Sequence, residues 1–189
     1  WHPGVAIQEG VVQGNYAYYT ADDAHCFGII DVKNPSRPVL VSTICGNATH
    51  PTLNAPDGLY VAGKYAYVVS SDGATFVIID ISDAQAPTIV GSYDDNVDLN
   101  GVDGLACQGN YCYLAAEGAN LLVVMDVSNK TKPRKVGKVT VTGSNNVHVS
   151  GKYAYIAGYA ADLLYIVDIS DPTRPVVKST FGGAGSPNF

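Results

Sequence analysis

The feature that most constrains this chain is a fourfold internal repeat. Tyr16, Tyr65, Tyr111 and Tyr153 follow one another at intervals of 49, 46 and 42 residues. An aspartate fifteen residues further on keeps the same three intervals (Asp31, Asp80, Asp126 and Asp168). A repeat of this length with no sustained helical period is typical of four-stranded propeller blades rather than of helical repeats. The repeat therefore predicts an all-β protein, a β-propeller of four four-stranded antiparallel blades.

Each repeat divides into four short strands. A Gly-Asn or Gly-Lys pair predicts a two-residue hairpin between the first two strands, because the first central position favours glycine. A continuous apolar run ending in Asp predicts a third strand that is covered on both faces. A proline then precedes the fourth strand, where an edge position does not require a backbone donor. We expect one domain over 1–189 with repeats at about 8–44, 57–93, 103–139 and 145–181 and a Gly-rich tail at 182–189. The ring is expected to be either a closed four-bladed ring or part of a larger one.

The apolar runs also carry a family resemblance. The segment Leu164-Tyr165-Ile166-Val167-Asp168 and its counterparts, followed by Ile-Ser-Asp-Pro-Thr-Arg-Pro, resemble the LVIVD-repeat family of β-propeller proteins. The resemblance covers nearly the whole chain. It implies a secreted or surface-attached microbial protein, and it implies no particular catalytic residues.

Composition excludes several classes of protein. The 189 residues carry a net charge of −6, 15% are charged and 47% are apolar. These values disfavour disorder, and no apolar run is long enough for a membrane span. An acidic chain is also a poor candidate for binding nucleic acid. Because the sequence begins at Trp1 without a leader, we expect either a mature secreted chain or a piece of a longer one.

The four cysteines fall opposite one another in the expected hairpins. The turn at Gly109-Asn110 places Cys107 opposite Cys112, close enough for a disulfide. The register that pairs Val32 with Val39 also pairs Cys26 with Cys45. Two disulfides predict an oxidising, extracellular or cell-surface location. The alternative is four reduced thiols in the core.

Two Asn-X-Thr sequons agree with that location. They begin at Asn47 and Asn129, and both fall in expected loops. We therefore expect at least one attached glycan, although so short a motif also occurs by chance.

Charged residues divide between the two faces of the expected propeller. The face with the loops between second and third strands, and between blades, collects acidic residues and no Lys or Arg: Asp22, Asp23, Asp57, Asp72, Asp94, Asp95, Asp98, Asp103, Glu117 and Asp162. Most basic residues fall in the turns of the opposite face. This division favours docking of unlike faces or cation binding, and the alternative is an accident of polar loops.

Four oxygen-bearing side chains stand at the start of the innermost strands. They lie six residues before each hairpin glycine: Gln8, Asp57, Asp103 and Asn145. Together they would ring the mouth of the central channel and offer oxygen ligands to Ca²⁺. The alternative is that each residue caps the loop entering its strand.

The sequence shows no established catalytic pattern. His25 beside Asp22 and Asp23 is the one plausible acid–base cluster, and a solvated loop is the commoner explanation. We therefore expect a non-enzymatic structural or interaction module. Its partners would be proteins, including copies of itself in a head-to-tail filament or surface layer, and it would also bind glycans. The second hypothesis is a ligand-binding, Ca²⁺-binding or hydrolytic propeller working at the acidic channel mouth.

Overall fold

The computed structural model describes residues 6–46 and 53–182, which form four antiparallel sheets. Each sheet is one blade, and its strands follow chain order from the innermost to the outermost. Blade 1 holds β1 (Ile7–Gln13), β2 (Tyr16–Ala21), β3 (Cys26–Asp31) and β4 (Val39–Cys45). Blade 2 holds β5 (Pro56–Ala62), β6 (Tyr65–Ser70), β7 (Thr75–Asp80) and β8 (Thr88–Asp94).

Blades 3 and 4 repeat this order. Blade 3 holds β9 (Val102–Gln108), β10 (Tyr111–Ala116), β11 (Leu121–Asp126) and β12 (Arg134–Thr140). Blade 4 holds β13 (Ser144–Ser150), β14 (Tyr153–Gly158), β15 (Leu163–Asp168) and β16 (Val176–Gly182), with a 3₁₀ turn at Tyr159–Ala161. The predicted four-bladed all-β architecture is confirmed.

Two kinds of turn set the strand register in every blade. The hairpin glycines Gly14, Gly63, Gly109 and Gly151 have φ values of 59–63°, in the left-handed region that glycine adopts without strain. At the end of each third strand, the repeated aspartate accepts the backbone N–H two residues further on, at 2.8–3.0 Å. The repeated aspartates therefore hold this turn, as the sequence predicted.

Three apolar clusters lie between the four blades. One cluster joins blades 1 and 2, a second joins blades 2 and 3, and a third joins blades 3 and 4. The inner strands β1, β5, β9 and β13 pack in that order. Within the described residues, β13 and β1 share no comparable packing, and no core cluster joins blades 4 and 1. The four blades therefore form an open arc and not the closed four-bladed ring that was one of the expected arrangements.

Both predicted disulfides are present. Cys26 pairs with Cys45 between β3 and β4, and Cys107 pairs with Cys112 between β9 and β10, each with Cα atoms 4.0 Å apart. The predicted cysteine pairing is thus confirmed, and it favours folding in an oxidising compartment.

No helix that is long and apolar enough to cross a membrane occurs within residues 6–46 and 53–182. The one helical element of these ranges is the three-residue turn Tyr159–Ala161.

Candidate functional site

The inner strands place four predicted site residues at equivalent positions. Gln8, Asp57, Asp103 and Asn145 are each the second residue of their strand, in β1, β5, β9 and β13. Because these strands pack side by side in chain order, the four side chains follow one another along the inner edge of the arc. Asp57 and Asp103 are half-buried, whereas Gln8 and Asn145 are exposed.

A carboxylate cluster forms on this edge, and we define it as Asp57, Asp103 and Glu117 together with Asn145. The amide Nδ2 of Asn145 donates to Asp103 Oδ2 and to Glu117 Oε2, at 3.3 Å in each case. Glu117 follows the end of β10, and its backbone N–H donates to the Gly101 carbonyl at 2.8 Å. Three neighbouring blades therefore contribute to one cluster, because Asp57 belongs to blade 2, Asp103 and Glu117 to blade 3 and Asn145 to blade 4.

Burial and mutual repulsion change the acidity of this cluster. Burial, the neighbouring charges of Asp57 and Glu117, and a hydrogen bond with Glu117 raise the pKa of Asp103 to about 6. Burial also raises the pKa of Asp57, against the opposing hydrogen bonds from Ser71. A carboxyl with a pKa close to neutral can both accept and release a proton under ordinary conditions. The cluster therefore has the electrostatics of an acid–base site.

The sequence identified only part of this cluster. It placed Glu117 on the acidic face but not beside Asp103. The signal that could have located it is its position directly after a second strand, where the loop passes over the start of the innermost strand.

The predicted cation ligands do not come together as one set. Asn145 contacts Asp103, but the Gln8 amide instead donates to Asp22 Oδ2 at 3.4 Å. Among the residues that the structure describes, no group of three or more His, Cys, Asp or Glu side chains is arranged to hold a metal ion. Calcium binding at Gln8, Asp57, Asp103 and Asn145 stays a prediction.

His25 has a structural contact. Its ring Nδ1 accepts the backbone N–H of Ala55 at 3.0 Å, and the backbone N–H of His25 donates to the Asp22 carbonyl at 2.7 Å. The imidazole thus holds the chain that leads into β5, and one of its two nitrogens is engaged. The carboxylate cluster is therefore a better candidate for acid–base chemistry than His25 with Asp22 and Asp23.

A second set of acidic residues on the same face, Asp95 and Asp98, is paired with lysines. Lys135 Nζ lies 2.5 Å from both Asp95 Oδ2 and Asp98 Oδ2, and Lys138 Nζ lies 2.9 Å from Asp98. We call these four residues the lysine–aspartate cluster. The expectation that this face lacks Lys and Arg is wrong here, because two lysines of β12 reach the segment that joins blades 2 and 3.

The same contacts set the acidity of the lysine–aspartate cluster. Hydrogen bonds from Lys135 hold the pKa of Asp95 and Asp98 below the usual range for aspartate. Burial by itself would lower the pKa of Lys135, but its hydrogen bonds to the two aspartates outweigh burial and raise it. Asp95, Asp98 and Lys135 are therefore charged at neutral pH.

The structure describes only one of the two sequons. Asn129 is exposed in the turn between β11 and β12, where its Oδ1 accepts hydrogen bonds from the N–H and the hydroxyl of Thr131 at 3.1 and 2.9 Å. Asn47 lies outside the described residues. Attachment of a glycan at either asparagine stays a prediction, as does binding of glycans by the protein.

A cleft of about 700 Å³ lies away from the carboxylate cluster, at the hairpin ends of blades 1 and 2. It is lined in part by Gln13, Lys64 and Asp83. The Gln13 amide is already engaged there, because it donates to the Gly63 carbonyl at 2.9 Å and accepts the Gly63 N–H at 3.0 Å. We therefore place the candidate functional site at the carboxylate cluster and not in this cleft.

The repeats and the propeller blades identify the family. The LVIVD repeat model matches the chain four times, at residues 8–45, 56–95, 101–141 and 143–182. The chain belongs to the LVIVD-repeat family, as its apolar runs indicated. No curated protein matches the chain in sequence.

Several solved structures share the fold at low sequence identity. A putative 6-phosphogluconolactonase from Bacteroides fragilis is 14% identical, with a TM-score of 0.80 over 95% of this chain and 55% of that one. The periplasmic gluconolactonase of Pseudomonas aeruginosa is 15% identical, with a TM-score of 0.78 over 98% and 58%. The Cps50 (Swd1) β-propeller domain of Myceliophteria thermophila is 13% identical, with a TM-score of 0.75 over 96% and 60%. The chain thus spans little more than half the length of these structures.

These comparisons contradict one expectation. We expected a protein without enzymatic activity, but three similar structures are named as gluconolactonases or 6-phosphogluconolactonases. At 14–17% identity they show only the fold and point weakly towards an enzyme.

Proposed function

We propose that the protein is a hydrolytic propeller that works outside the cytoplasm and opens the lactone ring of a sugar acid at the carboxylate cluster. The observation that carries the proposal is the carboxylate cluster itself, which three blades assemble and in which burial and neighbouring carboxylates raise the pKa of Asp103 to about 6. The two disulfides and the periplasmic neighbour support a location in an oxidising compartment, such as the cell surface or the extracellular space.

Hydrolysis of a lactone needs a group that removes a proton from water as the water attacks the ring carbonyl. The ionised form of Asp103 accepts this proton, and the protonated form can return it to the departing ring oxygen. Asn145 positions both Asp103 and Glu117 through its amide hydrogens. Burial, together with the charges of Asp57 and Glu117, keeps the pKa of Asp103 near the pH at which such a group works best.

The charge of the cluster favours one kind of substrate. The groups that shift the pKa of Asp103 are two carboxylates and an amide, with no cation among them. A phosphorylated substrate would be repelled by these negative charges. We therefore expect an uncharged aldonolactone to be preferred over its 6-phosphate.

The proposal is tested by following the hydrolysis of glucono-δ-lactone at constant pH, above the uncatalysed rate. We expect Asp103→Asn to lower kcat/KM by about 10²-fold or more, since a positioned acid–base group contributes about 10²–10⁴-fold. Activity of the unmodified protein should rise with pH through about 6, as Asp103 ionises.

The matched control is Asp23→Asn, which removes an exposed carboxyl from the same face but outside the cluster. We expect it to keep the activity of the unmodified protein. If the protein shows no hydrolysis above the uncatalysed rate, or if both variants lose activity equally, the proposal is wrong.

A further inference from the structure

The two end blades of the arc present faces that are buried elsewhere. We use "trailing face" for the side of a blade that points to the next blade along the chain, and "leading face" for the opposite side. The trailing faces of blades 1, 2 and 3 form the three core clusters together with the leading faces of the blades that follow them. The trailing face of blade 4 and the leading face of blade 1 have no such partner within the described residues.

The trailing face of blade 4 has the composition of a buried one. In blade 2 it presents Tyr67, Phe76 and Ile78, which are at most 5% exposed. The equivalent residues of blade 4 keep the same character (Tyr155, Leu164 and Ile166), yet Leu164 is 41% exposed and the other two are only partly buried. Apolar side chains at the same register are thus covered in one blade and open in the other.

The leading face of blade 1 is uncovered in the same way. The turn before the outer strand begins with a valine or isoleucine that is buried in the other three blades (Ile81, Val127 and Ile169), whereas its equivalent in blade 1, Val32, is only partly buried. The proline that ends this turn is buried in blades 3 and 4 and exposed in blade 1 (Pro133 and Pro175 against Pro38).

One contact recurs at every junction between blades. The middle of each outer strand meets a backbone carbonyl in the turn of the following blade. In blade 1, the Ser42 hydroxyl donates to the Ala84 carbonyl at 2.6 Å. In blades 2 and 3 the equivalent residue is a glycine, packed directly under the carbonyl of Lys130 or Pro172.

Both halves of this contact are open at the ends of the arc. The register pairs Ser42 with Ile29 and Ser179 with Ile166, so Ser179 of blade 4 is the equivalent of Ser42. Ser179 is exposed. Pro35 of blade 1 is the equivalent of Ala84, and it is exposed as well. Blade 4 thus carries the donor, and blade 1 carries the acceptor, of a junction that residues 6–46 and 53–182 do not form within one chain.

From these open surfaces we infer that the trailing face of blade 4 docks on the leading face of blade 1 in a second copy of this chain. A two-fold axis then applies the same contact at both ends, which closes two arcs into one ring of eight blades. The new junction continues the series of three blade junctions in each chain, with Ser179 donating to the Pro35 carbonyl of the second copy. The inference needs only the blade register and is independent of the lactone chemistry proposed above.

The mass of the protein in solution tests the pairing. By sedimentation equilibrium we expect the unmodified chain to have the mass of two chains at micromolar concentrations. Leu164→Glu should give the mass of one chain, because it places a charge in the apolar junction. Since Leu164 is already exposed in a single chain, the far-UV circular dichroism spectrum should not change.

The matched control is Val97→Glu, which puts the same charge on a residue that is 75% exposed and lies between blades 2 and 3. It should leave the mass of two chains unchanged. A single-chain mass for the unmodified protein at every concentration would overturn the inference and would leave these faces for further blades of a longer protein.

An engineered disulfide distinguishes a closed pair from a filament. All four natural cysteines already form disulfides. Pro35→Cys together with Ser179→Cys therefore adds one free cysteine at each end of the arc. Oxidation should give a covalent dimer that grows no further, whereas Ser179→Cys alone should give none. A ladder of longer products would contradict the closed ring, because it requires open head-to-tail assembly.

Discussion

Two acidic clusters on the same face of the propeller have opposite electrostatics. In the lysine–aspartate cluster, Asp95 and Asp98 lie against Lys135, and their pKa values are lowered. In the carboxylate cluster, burial and neighbouring carboxylates raise the pKa values of Asp57 and Asp103. Both clusters join neighbouring blades, so their difference does not come from their place in the fold.

The difference comes from the presence of a cation. A lysine within hydrogen-bond distance offsets the burial of Asp98, and the resulting ion pairs join blade 3 to the segment that follows blade 2. Asp103 has an amide and carboxylates in place of a lysine. Half-buried carboxylates that have no cation beside them are costly for stability and are characteristic of functional sites. The first cluster therefore stabilises a junction between blades, whereas the second is the candidate site for the proposed chemistry.

The largest expected effect on stability is that of Lys135→Met. This change removes the cation between Asp95 and Asp98 and leaves the nearly buried Asp98 with Lys138 alone. Breaking a buried pair costs about 3–5 kcal/mol, and partial exposure of this one reduces the expected loss to about 2 kcal/mol. Urea denaturation at pH 7 measures the free energy of unfolding.

The control for this prediction is Lys178→Met. Lys178 lies 3.3 Å from Asp168, but the side chain of Lys178 is 52% exposed. An exposed ion pair contributes about 0–1 kcal/mol, so this variant should be nearly as stable as the unmodified protein. Equal losses for the two variants would contradict the structural role of the lysine–aspartate cluster.

Much of the fold could be predicted from the sequence because its determinants are local. The hairpin at Gly109 fixes the pairing of Cys107 with Cys112 over six residues, and the turn after Asp31 fixes the pairing of Cys26 with Cys45. The position of Asp103 at the start of an inner strand follows from the same counting.

The remaining features depend on how blades meet. Whether blade 4 reaches blade 1 is set by the angle accumulated over three junctions, and the repeat pattern contains no measure of that angle. The contact of Lys135 with Asp98 joins residues 37 positions apart across two blades, so the order of strands does not reveal it. The contact of Glu117 with Asn145 crosses from blade 3 to blade 4 in the same way.

The second prediction concerns the pH dependence of stability. The pKa of Asp103 is raised from 3.8 to about 6, so the folded protein holds this proton more tightly than the unfolded chain does. The tighter binding of this proton therefore adds to the free energy of unfolding at low pH, and the added stability is lost as the pH rises from 3.8 to about 6. Because Asp103→Asn cannot ionise, the variant should gain about 1 kcal/mol relative to the unmodified protein between pH 4 and pH 7, a value reduced for the solvent exposure of Asp103.

The lysine–aspartate cluster should show the opposite sign. Lowered pKa values for Asp95 and Asp98 stabilise the fold above the ordinary aspartate pKa of 3.8, and this stabilisation is lost as the pH falls below it. Asp103→Asn should keep this loss of stability at acidic pH, whereas Lys135→Met should make the loss smaller. Asp103→Asn and the unmodified protein should therefore differ in stability by different amounts at pH 4 and at pH 7. An equal difference at both pH values would show that the pKa of Asp103 is not raised.

The smallest expected effect separates burial from repulsion as causes of the raised pKa of Asp103. Burial contributes most, and the charge of Asp57 comes next. Asp57→Asn removes that charge and keeps the shape of the side chain, so the pKa of Asp103 should fall but stay above the ordinary value for aspartate. Carbon-13 NMR titration of the Asp103 carboxyl measures this directly, with Asp23→Asn as the control that should leave it unchanged. A pKa that does not move would mean that burial and Glu117 hold Asp103 protonated without Asp57, and the candidate site would then consist of blades 3 and 4 alone.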